Sequence, residues 1–383
     1  MAKPPINWTN MILFSVTPLL AVTLVPWYGF TYGYDLYEWI VFVVLMGYCG
    51  MSITAGYHRL WSHKSYKAHP FLRFVFALGG ACALQNDVFH WASDHRRHHA
   101  HVDNNDKDPY SAGRGFWFSH MGWILRNYES GKTDFSNIKD LQKDPMLRWQ
   151  HKHYLSLVLI MNIGLPAALG YIHGDVIAGI LLGGLLRLVL SQHVTWFINS
   201  IAHMWGKQTY SDKSSARDNP VLALLTYGEG YHNYHHTFQW DYRNGIHWWH
   251  FDPTKWFIRL SSYIGLTSDL KRCKPIAIET ARLEMQYKRA AQYCEKSAHA
   301  EKWKQKLEQE YEQLRSSLQA WSQVKQQWYE AKSSEIQEKL SHWDMLQIRD
   351  SYREAKFKLK LQRQRWQALV QSFASQSSNL SPA

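Results

Sequence analysis

Residues 39–63 read WIVFVVLMGYCGMSITAGYHRLWSH, and this stretch decides the fold. From Trp39 to Tyr57 it carries no charge, and its length is close to the ~20 apolar residues a helix needs to cross a bilayer. It then runs into two histidines, His58 and His63, with Arg59 between them. An apolar span that ends in imidazoles places ligating chemistry at a membrane surface.

Three further runs match it. Residues 11–30 (MILFSVTPLLAVTLVPWYGF) and 155–172 (LSLVLIMNIGLPAALGYI) are uncharged, whereas 176–201 is long enough but carries Arg187 and His193. A soluble core could bury one such run, but four make a membrane protein. The first run lacks a small-residue cleavage site, so no cleavable signal peptide is expected. The predicted fold class is all-α, with transmembrane helices at about 11–30, 39–57, 155–172 and 176–201. Residues 58–154 and 202–274 form a helical cap that completes a membrane domain over 1–274, and 275–383 form a charged helical extension. Inside the cap, 74–84 (FVFALGGACAL) is too short to span and reads as a helix buried in protein or lying at the interface.

The flanks set the orientation. The connection between the first two runs contains Asp35 and Glu38 but no Lys or Arg, and that between the last two contains only Asp175. The opposite flanks carry Lys3, Arg59, Lys64, Lys67, Lys143, Arg148, Lys152, Lys207 and Lys213. The positive-inside rule therefore puts both termini and the histidine-rich segments in the cytoplasm. The net charge of +12 reads as that bias plus attraction to anionic headgroups; no motif points to nucleic acid. Four cysteines, Cys49, Cys82, Cys273 and Cys294, two of them in apolar sequence, make no disulfide framework.

The histidines fall into three boxes: HRLWSH (His58, His63), HRRHH (His95, His98, His99) and HNYHH (His232, His235, His236). Residues i, i+3 and i+4 share a helix face, so each HxxHH box points three imidazoles at one place. His58 and His63, five apart, diverge by about 140° on an α-helix, so that pair fits best where the helix bends on leaving the bilayer. All three boxes lie on one membrane side and can converge. Imidazole suits Zn, Cu, Fe and Ni, and eight ligands exceed one tetrahedral ion, so a two-metal site is implied. Singly, His69, His120 and His151 read as surface or hydrogen-bonded residues.

HRLWSH, DHRRHH and EGYHNYHH, with NSIAHMWG between the last two, resemble the histidine boxes of integral-membrane fatty acyl desaturases. The similarity spans roughly residues 8–270, takes in QND at 85–87 and GRGFWFSHMGW at 113–123, and is strongest to the Δ9 acyl-CoA desaturases of the stearoyl-CoA type. It implies two irons held by His58, His63, His95, His98, His99, His203, His232, His235 and His236, with Asn199 reaching one iron through water. It implies O₂ as co-substrate and electrons from a separate donor (a ferredoxin, a cytochrome b5-like protein or a reductase), because no His-Pro-Gly-Gly haem motif is present. Gln85, Trp91 and Thr195 match positions lining the kink where a fatty acyl chain passes the metals. Asn10, Asn86, Asp94 and Trp196 match contacts to the acyl-CoA near its thioester and head. In this family the chain ends between the first two membrane helices, where Gly50 and Met46 stand eight and twelve residues before His58; Gly50 leaves room and Met46 closes the end. Ser93 departs from the pattern, standing where mammalian members carry an arginine at the CoA surface, and Arg148 and Lys152 are the phosphate partners the sequence offers instead.

Three rivals share these boxes: an acyl-lipid desaturase, a membrane di-iron alkyl hydroxylase, and a non-enzymatic metal store or transporter. The last needs a polar path across the bilayer, for which only Arg187 and His193 are on offer. After Pro275 the chain holds no Gly and is rich in Gln, Lys, Glu and Trp, a strongly helical composition. Leu307, Tyr311, Leu314, Leu318 and Trp321 alternate by four and three like a coiled-coil seam, and the pattern slips near Val324 and Trp328. The extension reads as a hairpin folded on itself, a dimerisation element giving a homo-oligomer, or a dock for the electron donor.

Overall fold

In the computed structural model, which describes residues 3–295, 300–333 and 341–378, the first long helix, α1 (Trp8–Thr31), starts where the Asn7 side chain accepts the N–H of Asn10. Helix α2 (Leu36–Ser62) starts in a capping box: Asp35 accepts backbone N–H groups of the first turn while Glu38 accepts the N–H of Asp35. Its last turns, Ser52–Ser62, open into π geometry. Then β1 (Lys67–Ala68), α3 (Pro70–Ala83), α4 (Val88–Ala100) and α5 (Pro145–Lys152) build the first part of the cap. Helices α6 (Tyr154–His173) and α7 (Val176–Met204) follow. The cap closes with α8 (Pro220–Leu225), α9 (His232–Thr237), α10 (Pro253–Tyr263) and β2 (Thr267–Ser268), which pairs antiparallel with β1 through Lys67↔Ser268.

Among the described residues, four helices are long and apolar enough to cross a membrane: α1, α2, α6 and α7. The protein is an all-α, multi-pass membrane protein. Three of the helices outrun the predicted spans at both ends and α7 at its C-terminal end only; α2 continues five residues beyond Tyr57 through the first histidine. Helix α3 carries the short apolar stretch. It buries Leu72, Phe76 and Ala77 while Phe71 and Phe74 face outward. Gly79 and Gly80 let it lie close to α2, since a Cβ at either would stand 2.0 Å from Ser52 Oγ or 2.1 Å from the Tyr57 ring.

Arg187 is a structural partner rather than part of a polar path. Fully buried in α7, it donates to the carbonyls of Gly183 (3.0 Å) and Cys82 (2.6 Å) and to Asn162 Oδ1 (2.8 Å), tying α7 to α3 and α6. None of the four cysteines is paired in a disulfide.

The chain divides into two compact units, one formed by the residues up to Gln208 and Asp212–Arg272, the other by Thr209–Ser211 and the chain from Cys273 onward. In the second unit α11 (Pro275–Cys294), α12 (Ala300–Ala331) and α13 (His342–Ser378) share one apolar core. Leu307, Leu314 and Leu318 of the heptad-like seam are buried there against Leu283 of α11 and Leu359, Trp366 and Leu369 of α13. Trp366 Nε1 donates to Gln286 Oε1 (2.8 Å), satisfying the one polar atom of that ring. The seam is thus filled by the chain's own helices. Slippage near Val324 fits such three-helix packing, which needs no strict heptad.

Candidate metal centre and its cavity

The π turns resolve the geometry of the first box. The N–H of His63 bonds to the carbonyl of His58 at 3.1 Å, and an i→i+5 bond stacks residues five apart. The two rings are 4.8 Å apart, centre to centre. Helix α4 adds His95, His98 and His99, the C-terminal turn of α7 adds His203, and α9 adds His232, His235 and His236.

These nine imidazoles form two groups, His58–His63–His95–His99–His235 and His98–His203–His232–His236. Neither HxxHH box serves one centre, in contrast to the sequence reading. Helix α4 sends His95 and His99 to the first group and His98 to the second, and α9 splits His235 from His232 and His236. Successive residues fan out by 100°, so a face shared by i, i+3 and i+4 is wide enough to meet two adjacent centres.

Within each group the Nε2 atoms face one another. His63–His95 are 2.8 Å apart, and His58–His235, His99–His235, His203–His232 and His232–His236 are each 3.0 Å apart. Nitrogens about 2.1 Å from a common ion stand about 3.0 Å apart at a right angle and about 3.4 Å apart in a tetrahedron. Five donors at the shorter spacing fit an ion with more than four ligands rather than tetrahedral zinc.

Four of the Nδ1 atoms point outward to acceptors that fix the tautomer. His98 Nδ1 lies 2.9 Å from Asp108 Oδ1, and His58 Nδ1 lies 3.0 Å from Glu229 Oε2. His203 Nδ1 donates to Ser215 Oγ (2.8 Å), which donates to Asp103 (2.6 Å). His95 Nδ1 donates to the Tyr110 hydroxyl (3.2 Å). Glu229 is held in turn by the buried Arg59 (2.8 Å) and by Asn244 Nδ2 (2.6 Å). Burial works to raise Glu229, but His58 and Arg59 outweigh it and hold the carboxyl at about 2. Burial pushes His63, His95, His99, His232, His235 and His236 well below the usual imidazole range. They are therefore neutral, the form that binds a metal.

A cavity of about 1140 Å³, counting its open mouth, runs past both groups and is lined by His58, His95, His98 and His232. Seven of the predicted substrate residues line it: Asn10, Gln85, Asn86, Trp91, Asp94, Thr195 and Trp196, together with Asn199. A narrower cavity lined by Met46, Gly50, Val194, Thr226 and Tyr227 shares Ile53, Thr54, Gln85, Thr195 and Ile198 with the first. Gln85 Nε2 donates to Thr195 Oγ1 (2.8 Å) and its Oε1 accepts from Trp91 Nε1 (3.4 Å), so these three side chains are tied together beside the junction. Burial raises Asp94 to about 6 against the pull of Arg97. Ser93 is buried and donates to the Asp134 carbonyl, so it offers no surface contact.

Residue-pattern reading alone missed His203, whose only local hint is Asn199 four residues earlier. It also missed the supporting Asp108, Glu229 and Ser215. Glu229 sits three residues before His232 in EGYHNYHH and could have been found there; Asp108 lies ten residues beyond His98 with no periodic signal. Asp108→Asn is expected to weaken metal binding by about 10- to 100-fold, with membrane insertion intact. Metal titration of the purified variant checks this, and wild-type affinity would remove Asp108 from the centre.

Residues 37–261 match the fatty acid desaturase family. The chain is 40% identical over 290 residues to acyl-CoA desaturase 1 of Saccharomyces cerevisiae, covering 74% of this chain and 55% of the relative. The chain thus spans about half the length of that yeast relative. It is 39% identical over 284 residues to human stearoyl-CoA desaturase 5, covering 72% of this chain and 84% of the relative. Against the sn-2 palmitoyl-lipid 9-desaturase of Nostoc sp. it is 36% identical over 278 residues, 71% of this chain and 93% of the relative. With a match over residues 37–261 and a centre of nine converging histidines, the chain belongs to the fatty acid desaturase family.

Proposed function

We propose that the protein is an O₂-dependent di-iron desaturase that introduces a cis double bond, at Δ9, into a saturated fatty acyl-CoA. The supporting observation is the cavity that runs from Asn10, Asn86 and Asp94 past both histidine groups toward Met46 and Tyr227. Two irons held by the nine histidines, with Asn199 reaching one through water, would supply from O₂ the oxidant that an unactivated C–H bond requires. The chain's own residues do the positioning. Each methylene buried along the cavity contributes about 0.8 kcal/mol, which draws the acyl chain in and expels water. The Gln85–Thr195–Trp91 set, linked by hydrogen bonds, shapes the bend beside the metals. Asn10, Asn86, Asp94 and Trp196 hold the thioester end, and exposed Arg148 and Lys152 on α5 supply charge for the CoA phosphates. A separate ferredoxin, cytochrome b5-like protein or reductase delivers two electrons. By the basic flanks, that donor and both termini are cytoplasmic.

The names acyl-CoA desaturase and stearoyl-CoA desaturase among the relatives support the thioester substrate. The Nostoc relative's name supports an esterified acyl chain instead. Labelled stearoyl-CoA, supplied to detergent-purified protein with a redox partner, is expected to give the cis-Δ9 acid without prior transfer to phospholipid. Conversion only after esterification, or an alcohol product, would overturn the proposal.

Every proposed ligand and cavity residue precedes Lys274. A chain ending there is expected to keep its full iron content, measured by metal analysis, and its substrate conversion. Loss of iron on truncation would mean that the second unit holds the metal domain together.

A further inference from the structure

We propose that Asp87, His90 and His151 form a third metal site, separate from the nine-histidine centre, that takes one divalent cation of the zinc class. Asp87 caps α4 with one carboxylate oxygen: Oδ1 accepts the N–H of Phe89 (2.8 Å) and of His90 (3.3 Å). The other oxygen is committed to imidazoles. Oδ2 lies 2.7 Å from His90 Nδ1 and 3.1 Å from His151 Nδ1, the latter brought in by α5. The three donor atoms all lie within 4.8 Å of one another.

Two imidazoles and one carboxylate are the donor set of open zinc sites, in which water completes the coordination. The surroundings match. The Asp87 side chain is 6% exposed, whereas those of His90 and His151 are 32% and 39% exposed, so the anion is buried and the cation has a way in. Phe89 packs at a tilt beside His151 (5.1 Å) and Phe135 packs edge-on to His90 (4.9 Å), restricting both rings. The open side faces a polar cleft lined by Asn86, His153, Tyr154 and Ser156, with exposed Lys152 able to turn its amine to solvent. Asn86 lines this cleft and the acyl cavity alike, so the cation would sit beside the cavity mouth.

The full-length, iron-loaded protein in detergent, titrated with Zn²⁺ and followed by metal analysis after dialysis, tests this. One zinc per chain is expected above the iron content, with no iron displaced. His90→Ala and His151→Ala should each weaken that zinc by roughly tenfold or more while leaving the iron unchanged. Co²⁺ should report the same site by its visible absorption. His90 lies on the helix that carries three ligands of the main centre, so His151→Gln on α5 serves as a second variant if His90→Ala fails to fold. No zinc above the iron, zinc taken up only as iron leaves, or zinc unaffected by the substitutions would each overturn the proposal.

Discussion

His98→Ala and His235→Ala are each expected to reduce desaturation to background and to lower the bound iron, while the protein still inserts into the membrane. His235 Nε2 stands 3.0 Å from both His58 and His99, at the middle of its group, so its loss opens the first metal position from inside. His98 belongs to the second group and carries a second consequence. Its removal takes the imidazole from Asp108, wholly buried, and leaves that carboxylate the N–H groups of Asp103 and Tyr110; a lost hydrogen bond to a charged group costs about 1.5–3 kcal/mol. His98→Ala should therefore also lower the melting temperature, whereas the effect of His235→Ala should be mainly on metal. The four membrane helices hold no ligand from α4 or α9, so insertion should be unaffected. Activity retained in both variants would show that the boxes are not the ligand set.

The second large effect concerns chain length. Gly50 faces Tyr227 so closely that a Cβ there would stand 2.1 Å from the ring. The Tyr227 hydroxyl donates to the Met46 carbonyl at 3.0 Å. The space Gly50 leaves is thus taken by Tyr227, and Met46 is its neighbour at the narrow end. Tyr227 itself adopts a left-handed φ of 56°, and Gly228 follows at 98°, a turn that leads into Glu229 and the third box. We expect Gly50→Leu to push the ring into the cavity and shift products to shorter chains. Met46→Ala and Tyr227→Ala should admit longer ones. Each extra methylene buried is worth about 0.8 kcal/mol, so preference should move about fourfold per carbon until the new wall is reached. Fatty acid profiles by gas chromatography measure this. Unchanged profiles in all three variants, with iron retained, would place the end of the cavity elsewhere.

What could be read from the sequence follows from range. Membrane helices are local: twenty apolar residues announce themselves, although the start of α2 at the Asp35–Glu38 capping box, three residues ahead of the apolar run, went unread. The histidine boxes are local too, so eight ligands stood out by spacing alone. How the boxes divide between two centres was not legible, because it depends on how α4 and α9 cross, not on either helix. His203 is a single histidine at a helix end and gained meaning only through the family resemblance. Asp108, Ser215 and Tyr227 act across the fold on groups from other elements, and nothing in their neighbourhoods marks them. The five-residue interval in HRLWSH looked awkward on an α-helix, and the π turns show that the helix, not the ligand set, adapts.

Metal analysis of the purified, active protein tests the central claim most directly. Two irons per chain are expected, both retained whether or not zinc is added. About one zinc with no iron would contradict a redox centre built from these nine histidines.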